Sequence, residues 1–246
     1  MNGVRTGMNG IFRINGPGAL PIIALGLVVL LIIILIPLLI LGLAGAAFSR
    51  LGFTWVEAVS VIILMVIGYL INIPIWTVPR MGGHDGTPVH MVFDAFTGEP
   101  IHGERSLITV SLNLGGALIP LAVSVYLLHE MNRLNPGQFI FPLAGCIAAV
   151  AIVVIVSVKI IPEWGIRAPL FLPALAALAC GILFTGGAGL AAAVTAFSGG
   201  TMGILIGTLI FSLWKGVRSG IRQISIGGSG TFGSILICTL FSALIA

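Results

Sequence analysis

From Ala19 to Phe48 the chain runs for thirty residues without a charged side chain, and that length limits what it can be. A secretory signal has an apolar core of only about 7–15 residues, whereas a helix that crosses a bilayer needs about 20. The run is therefore predicted to be a retained transmembrane helix over 19–48, although Arg5 and Arg13 precede it. Pro21 falls in its first turn, where a missing N–H costs little, and the interior Pro37 is predicted to kink it.

The same length rule predicts further spans at 54–76, 107–128, 139–158, 168–185, 188–213 and 225–246. Only 7% of the residues are charged and the mean hydropathy is +1.20, against about a quarter charged in a soluble domain. Too few polar residues exist to cover a water-facing surface, so lipid must do so. The predicted fold is an all-α integral membrane protein, one transmembrane domain over 1–246 built as a bundle of about seven helices, with the lipid bilayer as its first partner.

Seven spans place the connections on alternating sides. One side then collects Arg5, Arg13, Arg80, Arg105, Lys159, Arg167, Lys215, Arg218 and Arg222, and the other only Arg50 and Arg133. Basic residues in short loops mark the cytoplasmic face, so the N-terminus is predicted to be cytoplasmic and the C-terminus outside. Trp55, Trp76, Trp164 and Trp214 fall near predicted span ends, where amphipathic rings favour the headgroup region. The formal charge of +4 is scattered, which argues against a nucleic-acid partner.

One long stretch, residues 77–106, is too polar for a bilayer and is predicted to be a cytoplasmic loop or short hairpin between the second and third helices. It carries Asp85, Asp94, Glu99 and Glu104 and three of the four histidines, and Val89–Phe93 reads as one short strand. His84, His90, Asp94 and His102 are the candidate metal ligands by residue type, but they match no ligand spacing. A solvated loop is the simpler reading, and no metal or cofactor is predicted. Cys146, Cys180 and Cys238 lie in apolar runs and read as small buried hydrophobes.

No acid or base falls at the middle of a predicted span, which argues against a proton pump or ion-coupled carrier. The polar signals inside the spans are amides beside helix breakers: Asn72-Ile-Pro74, and Asn113-Leu-Gly115-Gly116 ahead of Pro120. Freed carbonyls and amides at such breaks can line a cavity, making Asn72, Asn113, Gly115 and Gly116 the candidate substrate-binding residues. The alternative is packing, small residues letting helices approach and each asparagine bonding a neighbour. Gly199, Gly203 and Gly207 form a small-xxx-small stripe for helix packing, within the chain or between subunits or copies. Lys215, Arg218 and Arg222 form a basic turn suited to lipid headgroups. Gly228, Gly230 and Gly233 match G-x-G-x-x-G, but a dinucleotide fingerprint needs a preceding strand in a βαβ unit and a following acid. Neither is predicted here.

The runs SLNLGGALIPLAVSVYLL and SIGGSGTFGSILICTLFSALIA, with the INIP segment before them, resemble an archaeal and bacterial family of polytopic membrane proteins known only as a domain of unknown function. The resemblance extends from the second predicted helix to the C-terminus and rests on glycine-rich motifs of the NVGGALIP and IGGAGTFDGIF types. This chain departs from the pattern in two places. Gly233 stands where the family has an aspartate, and Gly203-Ile-Leu-Ile-Gly207-Thr208-Leu209 replaces a GTLIGADLL-type run. Two intramembrane aspartates would suggest an aspartyl-protease dyad sharing a proton; their absence argues against that activity. The predicted function is a non-enzymatic membrane protein, either a small-solute permease or an accessory subunit of a membrane complex. The alternative is a membrane-embedded enzyme using residues 77–106.

Overall fold

The structure is a computed structural model that describes residues 19–79, 107–134, 136–161, 165–215 and 223–245. Helices predominate, as the composition requires, and the chain packs as two units, Met1–Leu43 and Ala44–Ala246. In the first, the described residues belong to helix α1 (Ala19–Arg50), with Pro37 in its interior.

The second unit contains the remaining helices, and three of them differ instructively from the predicted spans. Helix α2 (Trp55–Gly68) opens with a capping box: Glu57 N–H donates to Thr54 Oγ1 at 3.3 Å and Thr54 N–H donates to Glu57 Oε2 at 2.8 Å. These bonds satisfy donors that the first helical turn leaves orphaned. The helix stops at Gly68, and the expected continuation to residue 76 is instead strand β1 (Asn72–Pro79). Pro74 explains the change. Its ring and missing N–H break a helix, whereas a strand tolerates it at an edge or bulge, and Pro74 sits on an edge strand where the register slips before Trp76.

The third predicted helix likewise begins as a strand, β2 (Leu107–Asn113), rich in the β-branched residues that suit one. It pairs antiparallel with β1. A single π-helical segment, Leu114–Leu118, follows and leads into α3 (Ile119–Leu134). Pro120 cannot donate to carbonyls four or five residues back, and the turn before it widens so that Ile119 N–H reaches Leu114 O. The seventh predicted helix starts as β5 (Gln223–Ile226), parallel to β2, and becomes helical only at α7 (Phe232–Ala243). The predicted loop at 159–167 is a hairpin, β3 (Lys159–Ile161) with β4 (Gly165–Arg167).

Helix α6 (Leu190–Trp214) is the centre of this unit, packing against α3, α4 (Ile140–Ser157), α5 (Leu172–Thr185) and α7. Its glycine stripe faces α4. A Cβ at Gly199, Gly203 or Gly207 would lie 2.6–2.9 Å from Cys146, Val150 or Val154 side chains, so the backbones meet only because these side chains are missing. Phe197 is buried beside the stripe, edge-to-face on Phe48 at 5.9 Å. Cys146 and Cys238 are fully buried free thiols and Cys180 is partly buried.

Among the described residues four helices are long and apolar enough to cross a membrane: Ile22–Arg50, Leu114–Leu134, Ile140–Ser157 and Leu190–Trp214. Helices α2, α5 and α7 have 14, 14 and 12 residues, which at 1.5 Å per residue span only about 18–21 Å. Of the polar stretch 77–106, only Thr77–Pro79 is described, as the end of β1. His84, His90, Asp94 and His102 lie outside the described residues, as does the predicted strand Val89–Phe93.

Candidate functional site

The candidate site forms where three elements change from helix to strand, and glycine permits the convergence. Gly68 ends α2, Gly115 and Gly116 sit in the π-helix, and Gly227 follows β5. A Cβ on Gly115 would lie 1.9 Å from Met65 O, and one on Gly116 would lie 1.9 Å from Gly227 O. These are backbone atoms, which cannot yield as a side-chain tip can. Gly227 also holds φ +78°, a conformation open to glycine at little cost. Tyr69 and Phe232 stack across the junction with ring centroids 4.6 Å apart.

The hydrogen bonds at the junction have a defined direction. Asn113 and Asn72 are cross-strand partners in the β1–β2 register. Gly116 N–H donates to Asn113 Oδ1 at 2.8 Å, and Asn113 Nδ2 donates to Tyr69 O at 2.7 Å. A backbone N–H can only donate and a carbonyl can only accept, so these two contacts fix which way the Asn113 amide faces. Its second N–H donates to Asn72 Oδ1 at 3.1 Å, and Ser225 Oγ donates to the same oxygen at 2.6 Å. Asn72 Oδ1 is thereby saturated. Its Nδ2 has no partner among the described residues.

Beside Asn72 lies a cavity of about 360 Å³. Tyr69 and Asn72 line it from the α2–β1 junction, Ile166 from β4, and Ser225, Ser229 and Gly230 from β5 and the turn after it. Among the described residues that line it, none carries a charged side chain. Beyond the strand pairing, Ser111 Oγ donates to Ile224 O at 3.3 Å, and Ala168 N–H donates to Gly230 O at 2.9 Å. The arrangement therefore presents an oriented amide, serine oxygens and main chain, with no charged side chain among the described lining residues.

Of the four residues predicted to bind substrate, the structure brings Asn72 and Asn113 into contact but gives them different positions. Asn72 lines the cavity; Asn113 is fully buried behind it and holds its amide. Gly115 and Gly116 are backbone contact points. The sequence reading missed Ser225, Ser229 and Gly230, although the glycine-rich run containing them was conspicuous. A strand does precede that run, contrary to expectation. The glycines nevertheless serve the protein's own packing: a Cβ on Gly228 would lie 2.1 Å from Ser225 Oγ, and one on Gly230 would lie 1.6 Å from Ile166 O. Those positions leave no close approach for a pyrophosphate.

In the basic turn, Lys215 Nζ lies over the Phe211 and Trp214 rings at 5.7 and 5.0 Å, while Arg218 and Arg222 are outside the described residues. Among the described residues no group of three or more His, Cys, Asp or Glu side chains is placed to hold a metal. No curated protein and no solved structure matches the chain. The family model described as Protein of unknown function (DUF1614) matches residues 66–245, which takes in both glycine-rich junctions and every cavity-lining residue, and the chain belongs to that family.

Proposed function

We propose that this chain is a non-enzymatic integral membrane protein of about seven spans, N-terminus cytoplasmic, that passes a small uncharged polar solute by way of the Asn72 cavity. The single observation that carries the reading is the pairing of an uncharged 360 Å³ cavity with an amide held from behind by buried hydrogen bonds. Strands with open edges are not stable against lipid tails, where each unpaired backbone group costs several kcal/mol. They are tolerated at membrane depth where they line a water-filled cavity. Short helices completed by non-helical backbone are also the way transporter folds build sites. Lys215, with Arg218 and Arg222, serves as the anchor to anionic headgroups in this arrangement. The accessory-subunit reading drew on the glycine stripe of α6; because α4 occupies that stripe, the permease reading is the better supported.

The test is reconstitution into liposomes and stopped-flow light scattering after an osmotic step with a panel of neutral polar solutes. At least one solute should equilibrate faster than in protein-free liposomes. Ser229→Trp, which places a large ring at an exposed position on the cavity wall, should return that rate to the protein-free value. Equal rates with and without protein for every solute would remove the permease reading.

A further inference from the structure

We infer that the cavity recognises a small neutral carboxamide or urea, with the ligand carbonyl on Asn72 Nδ2 and a ligand N–H on Ser225 Oγ. This rests on the permease reading above and specifies its substrate class.

The inference follows from hydrogen-bond direction rather than from cavity size. Two backbone groups set the Asn113 amide, Gly116 N–H at one end and Tyr69 O at the other. Asn113 can then only donate toward Asn72, so the atom it meets must be Oδ1. Ser225 donates its only proton to that same oxygen at 2.6 Å. Among the described residues Asn72 is left with two N–H donors without a partner and no acceptor capacity. Ser225 is left with lone pairs and no donor. The two residues therefore place a donor and an acceptor side by side on one wall of the cavity.

Their complement is a group with an acceptor and a donor on adjacent atoms in fixed relation. A primary amide has this arrangement, C=O beside its syn N–H, and urea has it on both sides; a trans secondary amide points the two groups apart. A polyol hydroxyl can rotate to meet either partner, but it must order a free rotor to do so and gains no planar two-point fit. Charge argues the same way. Among the described residues the cavity wall has no ionised side chain, and an ion stripped of water against that wall would meet no counter-charge. Carboxylates and ammonium compounds are thereby disfavoured relative to neutral amides of the same size.

The experiment uses the full chain in liposomes, with urea and acetamide compared against ethylene glycol and glycerol in the same shrink–swell assay. Urea and acetamide should pass faster than the polyols, each rate corrected for its protein-free leak. Asn72→Asp replaces the free N–H₂ by an acceptor at nearly constant volume at a solvent-accessible position; it should cut amide permeability about tenfold, the factor for one hydrogen bond. Ser225→Ala removes the acceptor and also frees Asn72 Oδ1, and should cut it comparably. Gel-filtration profile and melting temperature confirm that each variant is folded, and either variant suffices if the other is not. Polyols passing as fast as the amides would overturn the ligand class and leave the permease reading standing. An amide preference unchanged in both folded variants would overturn the assignment to this pair. Protein-free rates for all four solutes would overturn the inference and, extended over the broader panel, the permease reading with it.

Discussion

Replacing Asn113 with aspartate tests the hydrogen-bond direction on which the site depends. One carboxylate oxygen of Asn113→Asp still accepts from Gly116 N–H, now at 2.8 Å as a charge-assisted bond. The other oxygen takes the place of Nδ2 and faces two acceptors, Tyr69 O at 2.7 Å and Asn72 Oδ1 at 3.1 Å. Asn72 can turn its amide to help, but Tyr69 O belongs to the main chain and cannot. Leaving a buried acceptor unsatisfied costs about 1–3 kcal/mol, and more when a charge is involved. Position 113 is fully buried, so a net loss of about 3 kcal/mol is expected at neutral pH. At about 2–4 °C per kcal/mol for a chain of this size, the melting temperature should fall by about 6–12 °C. Protonation restores a donor toward Tyr69 O, so the folded state holds the proton more tightly than the unfolded state, whose aspartate titrates near 3.9. With the folded pKa raised, the stability conferred by the protonated form is fully present below about pH 3.9 and is lost as pH rises through the folded value. The melting temperature of Asn113→Asp, relative to the unmutated protein, should therefore rise as pH falls. Asn113→Ala, which loses the same bonds without a titrating group, should show a comparable deficit at every pH. Thermal unfolding in mild detergent from about pH 4 to pH 8 would check both. A pH-independent deficit in Asn113→Asp, or a melting temperature equal to that of the unmutated protein at neutral pH, would refute the assigned direction.

The glycine junction makes a sharper steric prediction. Gly115→Ala puts a Cβ 1.9 Å from Met65 O and 2.3 Å from Tyr69 N, whereas Gly187→Ala meets nothing within 4 Å; the first should lose at least about 3 kcal/mol, the upper end of overpacking costs, and the second should stay within about 1 kcal/mol, both read as melting temperatures. Thr54→Ala removes the side-chain half of the α2 capping box, the acceptor for Glu57 N–H, while the backbone N–H that donates to Glu57 Oε2 stays; it should cost about 1 kcal/mol, seen as faster hydrogen exchange in the first turn of α2 with the rest of the unit unchanged.

What the sequence discloses about this fold follows from how long and how apolar its runs are. Helices α1, α4 and α6 were legible because length alone identifies an apolar run long enough to cross a bilayer, and their limits agree with the predicted ones within two residues. The strands were not. In a water-soluble sheet a strand betrays itself by alternation of apolar and polar residues, and Ile108 to Asn113 does alternate, but the alternation is short and runs straight into a longer apolar stretch, so the length rule absorbed it into a helix. Pro74 was visible as a breaker, yet a kinked helix and an edge strand with a bulge account for it equally well until its partner is known. That partner, β2, lies across a stretch of more than thirty residues. Ser225 is less accessible still, since its bond to Asn72 joins positions 153 apart through a parallel pairing with β2. Asn72 and Asn113 stood out as amides beside breakers, but only the register separates the one that lines the cavity from the one that supports it.

That division of labour explains why the strands and the site occur together. Ending a helix early leaves carbonyls and N–H groups without partners, a penalty that grows in apolar surroundings. Three such ends brought together can satisfy one another. Leu114 N–H reaches Ile71 O, Asn113 bridges Gly116 N–H and Tyr69 O, and β2 pairs with strands on both sides. Among the described residues the groups that remain over are those at the margin of the junction, Asn72 Nδ2 above all, and the cavity lies beside them. A solute arriving there would complete a hydrogen-bond set that the described residues leave one partner short. On this reading the oriented amide follows from closing the three breaks, and substitutions at Asn113, Gly115 or Gly116 act on solute recognition through the position of Asn72, without themselves touching the solute.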